Sequence, residues 1–303
     1  MIKSFKEVLE RVKIQGRKKI AVAAAQDEPV LEAIKDAINE GIVDVVLVGD
    51  QEKIREIASK INLDVNVLEI IHESDNNKAA LKAVELVSSG KADMLMKGLL
   101  ETSTILKAVL NKEIGLRTGR LMSHVGVFEI PDFERLIFIT DAAFNMYPDL
   151  KAKIDILNNA VSVARAVGVE TPKVAPICAV EVVNPDMPAT VDASILSKMN
   201  ERGQIKGCIV DGPLAVDNAL SEEAARHKNI NSPVAGKADI LLLPNIEAGN
   251  VMYKTLTYTT KSKNGGILVG TSAPVVLTSR ADSPESKLYS IALAALVANE
   301  RSK

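Results

Sequence analysis

Short runs of Val, Ile, Leu and Ala alternate with longer amphipathic stretches almost from one end of the chain to the other. The runs at 20–25, 43–48, 65–71 and 92–96 are mostly continuous rather than alternating in apolar character, as strands of a parallel sheet covered on both faces are. Between them Val30, Ile34, Ala37 and Ile38 recur at helical spacing, as do Ile54, Ile57, Ala58 and Ile61. Gly98 ends the strand that runs to Lys97, and Thr102-Ser103-Thr104 is placed to cap a helix carrying Ile105, Leu106, Val109 and Leu110. Strands follow at 121–130 and 136–140, joined through the turn signal Pro131-Asp132. A helix with Ile154, Leu157, Val161 and Ala164 closes at Gly168. Further strands fall at 174–180, 208–211, 240–243 and 267–269. The last helix starts at Ser283-Pro284, a cap followed by Pro at the first helical position, with Leu288, Ile291, Ala292, Ala295 and Leu296 as its core stripe. Alternation of this kind predicts the α/β class, doubly wound.

Length adds that two domains of ordinary size fit into 303 residues, although no Pro/Ser/Gly tract marks a boundary. A net charge of −2 leaves no broad positive field for nucleic acid or an anionic membrane. The absence of Trp and the 3% aromatic content remove the stacking platforms that single strands need, so no nucleic-acid partner is expected. Cys178 and Cys208, both inside strand-like runs, read as buried thiols in a reducing compartment. The charged N-terminus lacks a secretory apolar region, and no run approaches the ~20 residues needed to span a bilayer. A cytoplasmic protein without a membrane partner is expected.

Candidate chemistry gathers in two places. The strand at 240–243 stops at Pro244 and runs into Asn245-Ile246-Glu247-Ala248-Gly249-Asn250-Val251-Met252-Tyr253-Lys254, with a Gly-Asn pair where the helix is expected to begin. Backbone N–H groups at a helix N-terminus favour an anion. Asn250, Tyr253 and Lys254 share one helical face, although Asn250 also fits a simple cap. Some two dozen residues on, a second apolar run ends in Thr278-Ser279-Arg280, just ahead of the last helix. Arg280 offers a planar fork matched to phosphate oxygens; a surface Arg pairing with Asp282 fits the same residues. Asp141 and Asp211 also lie at strand ends, where acids bind metals or ligands but more often hold turns. His72, His124 and His227 show no metal-ligand spacing, and His124 beside Ser123 fits a structural histidine. Walker A, G-x-G-x-x-G, C-x-x-C and G-x-S-x-G motifs are absent, which disfavours an NTPase, a standard dinucleotide dehydrogenase, a zinc protein and an α/β-hydrolase.

Taken together, these residues resemble the phosphate acetyltransferase/butyryltransferase family, its butyryl-transferring members most. The carriers are Lys97-Gly98, Thr140-Asp141-Ala142-Ala143-Phe144-Asn145, Asp211-Gly212-Pro213-Leu214-Ala215-Val216-Asp217, the stretch from Pro244 through Lys254, and Thr278-Ser279-Arg280. They run in family order over nearly the full length. The resemblance implies two α/β domains like those of isopropylmalate dehydrogenases with an active cleft between them, domain I spanning 1–128 plus 272–303 and domain II 129–271. It implies the reversible reaction of an acyl-CoA with inorganic phosphate to give an acyl phosphate and free CoA, with no metal and no cofactor beyond the CoA thioester substrate. A cytoplasmic homodimer or larger homo-oligomer acting in short-chain acyl-CoA fermentation or energy conservation is the expected context.

By the same resemblance Arg280 would hold the phosphate, and Ser279 would donate to the developing oxyanion or to the CoA sulfur. Asn250, Tyr253 and Lys254, with Asp141 and Asn145, would line the phosphate or thioester side. Lys97, Thr102 and Lys107 would contact CoA. Acetyl-specific relatives place an Asp six residues after the motif Arg, proposed as the base that deprotonates CoA; here that position is Ser286. Asp282, Glu285 or His124 could substitute, or no strong base is needed. Phe144, Met146 and Met252 are bulkier than their acetyl-specific counterparts, which predicts a pocket for a C4-type chain; packing alone explains them nearly as well. A phosphate acetyltransferase and an enzyme for branched C4–C5 acyl groups stay open. So do a decarboxylating dehydrogenase using Asp141, Asp211 and Asp217 on a metal and, last, a two-lobed binding protein.

Overall fold

The computed structural model describes residues 2–279 and 281–301. In chain order its elements are α1 (Phe5–Gln15), β1 (Lys18–Ala23), α2 (Glu28–Asn39), β2 (Val43–Gly49), α3 (Gln51–Lys60), β3 (Glu69–His72), α4 (Asn76–Ser88), β4 (Met94–Lys97) and α5 (Thr102–Val109). Then come β5 (Ser123–Glu129), β6 (Ile137–Thr140), α6 (Leu150–Val167), β7 (Lys173–Pro176), α7 (Pro188–Glu201), β8 (Ile209–Val210), α8 (Val216–Leu220), α9 (Glu222–His227), β9 (Ile240–Leu242) and α10 (Ile246–Thr259). β10 (Lys263–Val269), β11 (Val275–Val276) and α11 (Pro284–Arg301) complete the chain. The elements divide into two units. The first is Phe5–Arg120 with the chain from Gly265 onward, the second Leu121–Asn264 with the residues up to Ser4.

In the first unit the strand order is β3-β2-β1-β4-β11-β10, parallel from β3 to β11, with β10 antiparallel to β11. The chain steps from β1 through α2 to β2 and through α3 to β3, then α4 carries it back past β1 to β4. Right-handed crossovers in opposite directions place α4 on the other face from α2 and α3, the doubly wound arrangement. Ile20, Ala21, Val22 and Ala23 of β1 are fully buried beneath these layers, as continuous apolar strands require. Asp50 and Asp75 cap α3 and α4, each accepting two backbone N–H groups. α11 packs on α1, α2 and β11 and is buried on every side from Lys287 to Ala298.

In the second unit the order is β5-β6-β9-β7-β8, with β5 antiparallel to β6 and the rest parallel. Its core gathers Phe128, Ile137, Ile139, Ala175 and Leu241, all fully buried. α6 ends where expected, at Gly168 in the left-handed conformation (φ +111°). Among the described residues no helix is long and apolar enough to cross a membrane.

Two local expectations change. The run at 65–71 is strand only from Glu69, because Leu68 N–H closes a turn on Val65 O and Asn66 N–H binds Asp64 Oδ1. The run at 174–180 stops pairing as a strand at Pro176, with Ile177 making a single bridge to Leu214. The division between the units falls at 120/121 and 264/265. β5 pairs with β6 from Gly126 to Phe128 and so belongs with the second unit. Gly265, whose Cβ position is only 2.9 Å from Ser290 N, is pressed against α11 and belongs with the first.

Candidate active site

The second unit gathers its candidates at the carboxyl edge of β6 and β9. Gly126 pairs with Ile139, so two residues on, the antiparallel register sets His124 against Asp141. Thr140 Oγ1 donates to His124 O at 2.8 Å, and His124 N–H donates to Asp141 Oδ2 at 3.2 Å. The Asp141 carboxylate is 3% exposed and is surrounded by donors. Oδ1 accepts the N–H groups of Ala143 (2.9 Å) and Phe144 (3.0 Å), while Oδ2 also accepts Asn145 N–H (3.2 Å) and Nδ2 (2.6 Å). Asn145 Nδ2 spends its other N–H on Met122 O at 2.9 Å. Asp141 and Asn145 therefore shape the 141–145 loop, with both carboxylate oxygens and both amide N–H groups engaged within the protein. Five N–H donors aimed at Asp141 also make it a poor metal ligand, against the dehydrogenase alternative. Among the described residues no three His, Cys, Asp or Glu side chains are grouped to hold a metal ion.

α10 starts one turn earlier than its Gly-Asn pair predicts. Asn245 is the cap, its side chain accepting Ala248 N–H at 3.0 Å, so Asn250 lies in the second turn. Gly249 is buried there because a Cβ would sit 2.2 Å from Asp141 O. This approach lets Asn250 Nδ2 donate to Ala142 O at 3.2 Å, tying helix to loop and leaving its second N–H for a ligand. Tyr253 lies over Gly126, edge-on to Phe128 (4.9 Å between centroids) and to His124 (5.7 Å). Lys254 is exposed and makes no ion pair among the described residues. Of the acyl-pocket candidates, Phe144 is half-buried, Met146 is 68% exposed, and Met252 packs onto the core of this unit. Tyr147 OH donates to Glu247, and Ile246 N–H to Met146 O, fastening the loop to the start of α10.

The first unit assembles a different edge. β11 runs parallel to β4 with Val276 beside Met96, so the chain leaving β11 toward Ser279 emerges beside Lys97-Gly98. Ser279 is exposed and opens a tight turn: its N–H donates to Asp282 Oδ2 (2.7 Å), and its carbonyl accepts Asp282 N–H (3.2 Å). Arg280 lies outside the described residues. Ser283 Oγ accepts Ser286 N–H at 3.1 Å, the predicted cap of α11. Glu285 Oε1 accepts Tyr289 OH at 2.5 Å, and Tyr289 in turn stacks on Phe5. Both carboxylates considered as substitute bases are thus engaged in structure. Lys97 is 7% exposed, and its Nζ donates to Gly98 O (3.2 Å) and Leu100 O (3.1 Å). Thr102 is the first helical residue of α5 rather than its cap; Glu101 occupies the cap position, and its side chain does not make the capping hydrogen bond. Thr102 and Lys107 are exposed.

Two contributors are not among the candidates named from the sequence. Gly126 carries no motif, and only the strand register exposes it. Lys287 carried a signal: it lies four residues before Ile291, on the apolar stripe of α11, where a lysine is out of place. It is 2% exposed, and burial pushes its ammonium below the usual lysine range, the Asp282 and Asp27 carboxylates pulling the other way. Burial also pushes the Cys178 and Cys208 thiols up to about 11, which argues against either as a thiolate nucleophile.

Comparisons with known proteins identify the family. A family model described as phosphate acetyl/butaryl transferase matches residues 4–81 and 72–295. A phosphate butyryltransferase of Clostridium acetobutylicum is 69% identical over 99% of this chain and all of its own. A phosphate acetyltransferase of Thermotoga maritima is 50% identical over 97% of this chain and 99% of its own. The crystal structure of a branched-chain phosphotransacylase from Enterococcus faecalis is 35% identical, with a TM-score of 0.82 over 93% of this chain and 99% of its own. The chain belongs to the phosphate acetyl/butaryl transferase family.

Proposed function

We propose that the chain transfers a butyryl group from CoA to inorganic phosphate: butanoyl-CoA plus phosphate gives butanoyl phosphate plus CoA, reversibly. The observation that carries this is the 69% identity, end to end, with a phosphate butyryltransferase, against 50% with an acetyltransferase. Branched C4–C5 acyl groups are the second reading, favoured by the likeness to a branched-chain phosphotransacylase.

A phosphate oxygen attacks the thioester carbonyl carbon, the tetrahedral oxyanion collapses, and the C–S bond breaks to release the CoA thiolate. Two anionic substrates must meet, so cations and neutral donors rather than acids suit the work. In the first unit Arg280 and Ser279 hold phosphate and donate to the developing oxyanion or to sulfur; Lys97, Thr102 and Lys107 serve CoA. In the second unit Asn250, through its remaining N–H, Tyr253 and Lys254 serve the phosphate or thioester, on the loop that Asp141 and Asn145 shape. Positioning of this kind contributes as much as ~7–11 kcal/mol in the best intramolecular models. Asp282 and Glu285 are already hydrogen-bonded within the first unit, which supports the base-free account. A CoA thiol near pKa ~8.5 is a few per cent ionised at neutral pH without help. Phe144 and Met146, on the loop, are the better candidates for acyl selection, since Met252 is committed to the core. At ~0.8 kcal/mol per methylene, discrimination among chain lengths is graded.

The same reading makes the fold isopropylmalate-dehydrogenase-like and two-domain, needs no metal or redox cofactor, and has the enzyme act in the cytoplasm as a homodimer or larger homo-oligomer. The test follows thiol release from acetyl-, butyryl-, isobutyryl- and valeryl-CoA with and without phosphate. Butyryl-CoA is expected to give the highest specificity constant, with EDTA without effect. Release independent of phosphate would indicate a thioesterase; NAD(P) reduction with a 2-hydroxy acid, abolished by EDTA, would indicate the dehydrogenase.

A further inference from the structure

We infer that Lys287 is a positioning residue for the phosphate turn at Ser279, acting through the main-chain carbonyls of Ser279 and Asp282. The inference rests on the function proposed above. Lys287 Nζ donates to Ser279 O at 3.1 Å and to Asp282 O at 2.5 Å, the two ends of the turn. The side chain is among the largest fully buried ones in the molecule, and an ammonium is expensive to bury unless its donors are matched. A lysine retained under that cost, on a helix otherwise packed with Leu, Ile and Ala, marks a specific structural demand. The demand is the shape of the turn. Two carbonyls drawn inward leave the planar, trans peptide between Asp282 and Ser283 with its N–H turned away from Lys287.

The carboxylates facing the ammonium are those of Asp282, on the turn itself, and Asp27, ahead of α2. Asp282 is occupied by Ser279 N–H, so the turn is closed by a carboxylate on one side and a cation on the other. The buried positive charge stands behind a turn that carries Ser279 and leads into Arg280. It therefore adds a fixed attraction for an anion without contacting it. Loss of the ammonium should loosen phosphate while leaving acyl-CoA binding nearly untouched.

Lys287→Met keeps the stem and removes the charge and donors; Lys287→Gln fills the site less well but restores a two-donor amide. Initial rates of thiol release are measured for both variants against varied phosphate and varied butyryl-CoA, alongside thermal melts. The expected result is a phosphate KM raised about tenfold or more in Lys287→Met, with the acyl-CoA KM within about twofold, and partial recovery of the phosphate KM in Lys287→Gln. A residue that only packs the core would rank the two variants the other way, Met above Gln, and would not separate the two KM values. Unchanged phosphate KM in folded Lys287→Met, equal rises in both KM values, or failure of both variants to fold would overturn the inference. If the unmodified enzyme itself shows no phosphate-dependent thiol release, the underlying function fails instead, so the two failures are distinguishable.

Discussion

Gly249→Ala puts helix propensity and tertiary packing in direct opposition. Gly249 lies inside α10, where Ala should add about 1 kcal/mol of stability on propensity alone. The new Cβ, however, would sit 2.2 Å from Asp141 O and 2.9 Å from Ala142 Cα, both backbone atoms that cannot swing aside. Restoring the 3.4 Å of ordinary contact needs a shift of about 1.2 Å between helix and loop. Such a shift stretches the 3.2 Å bond from Asn250 Nδ2 to Ala142 O beyond hydrogen-bonding range. Overpacking costs about 1–3 kcal/mol and the lost bond about 1 kcal/mol. Against the propensity gain, the net is a loss of about 1–3 kcal/mol, read as a lower urea midpoint at constant m-value. A misplacement of about 1 Å beside the reacting groups is worth roughly a hundredfold in rate. The assay pairs urea unfolding with phosphate-dependent thiol release. Gly90→Ala serves as control: its φ is +77° with nothing near the added carbon, so about 1–2 kcal/mol of backbone strain and full activity are expected. A Gly249→Ala variant more stable than the parent, with unchanged kinetics, would refute the close approach of α10 to the Asp141 loop.

Other consequences follow from the same contacts. Asp141→Asn turns an amide toward donors now satisfied by a carboxylate; a stability loss of about 2–4 kcal/mol and a lower kcat are expected, checked by urea titration and steady-state kinetics. Lys254→Ala removes an exposed cation, so the phosphate KM should rise about three- to tenfold while stability stays within about 0.5 kcal/mol. The two thiols give a pH test: raised from 9.0 to about 11, they ionise first in the unfolded chain, so stability is full below pH 9 and falls between 9 and 11. Each contributes about 2–3 kcal/mol over that window, and a Cys178→Ala/Cys208→Ala variant should flatten the dependence of the urea midpoint on pH.

The α/β class and nearly every strand could be read from the chain because parallel strands buried on both faces spell uninterrupted apolar runs, as at Ile20–Ala23. What could not be read is where polar groups go. Gly249-Asn250 looks like a helix start, yet Asn245 takes the cap because its side chain reaches Ala248 N–H and because Gly249 is needed for a contact 108 residues away. Asp141 looks like a ligand-binding acid at a strand end; register with β5 and the tight loop after it consume both oxygens. Thr102 looks like a cap and is the first helical residue. Lys287 was visible as a lysine on an apolar stripe, but its partners are main-chain carbonyls, which no side-chain pattern encodes. The groups that hold the motif residues in position required coordinates.

The central claim is acyl transfer to phosphate, and the most direct measurement is the product balance with butyryl-CoA. Thiol and acyl phosphate, trapped as the hydroxamate, are quantified in one reaction at varied phosphate. One butyryl hydroxamate for each thiol released, with no release when phosphate is omitted, is the predicted result. Thiol release that continues without phosphate, or that yields free butyrate instead of the hydroxamate, would contradict it.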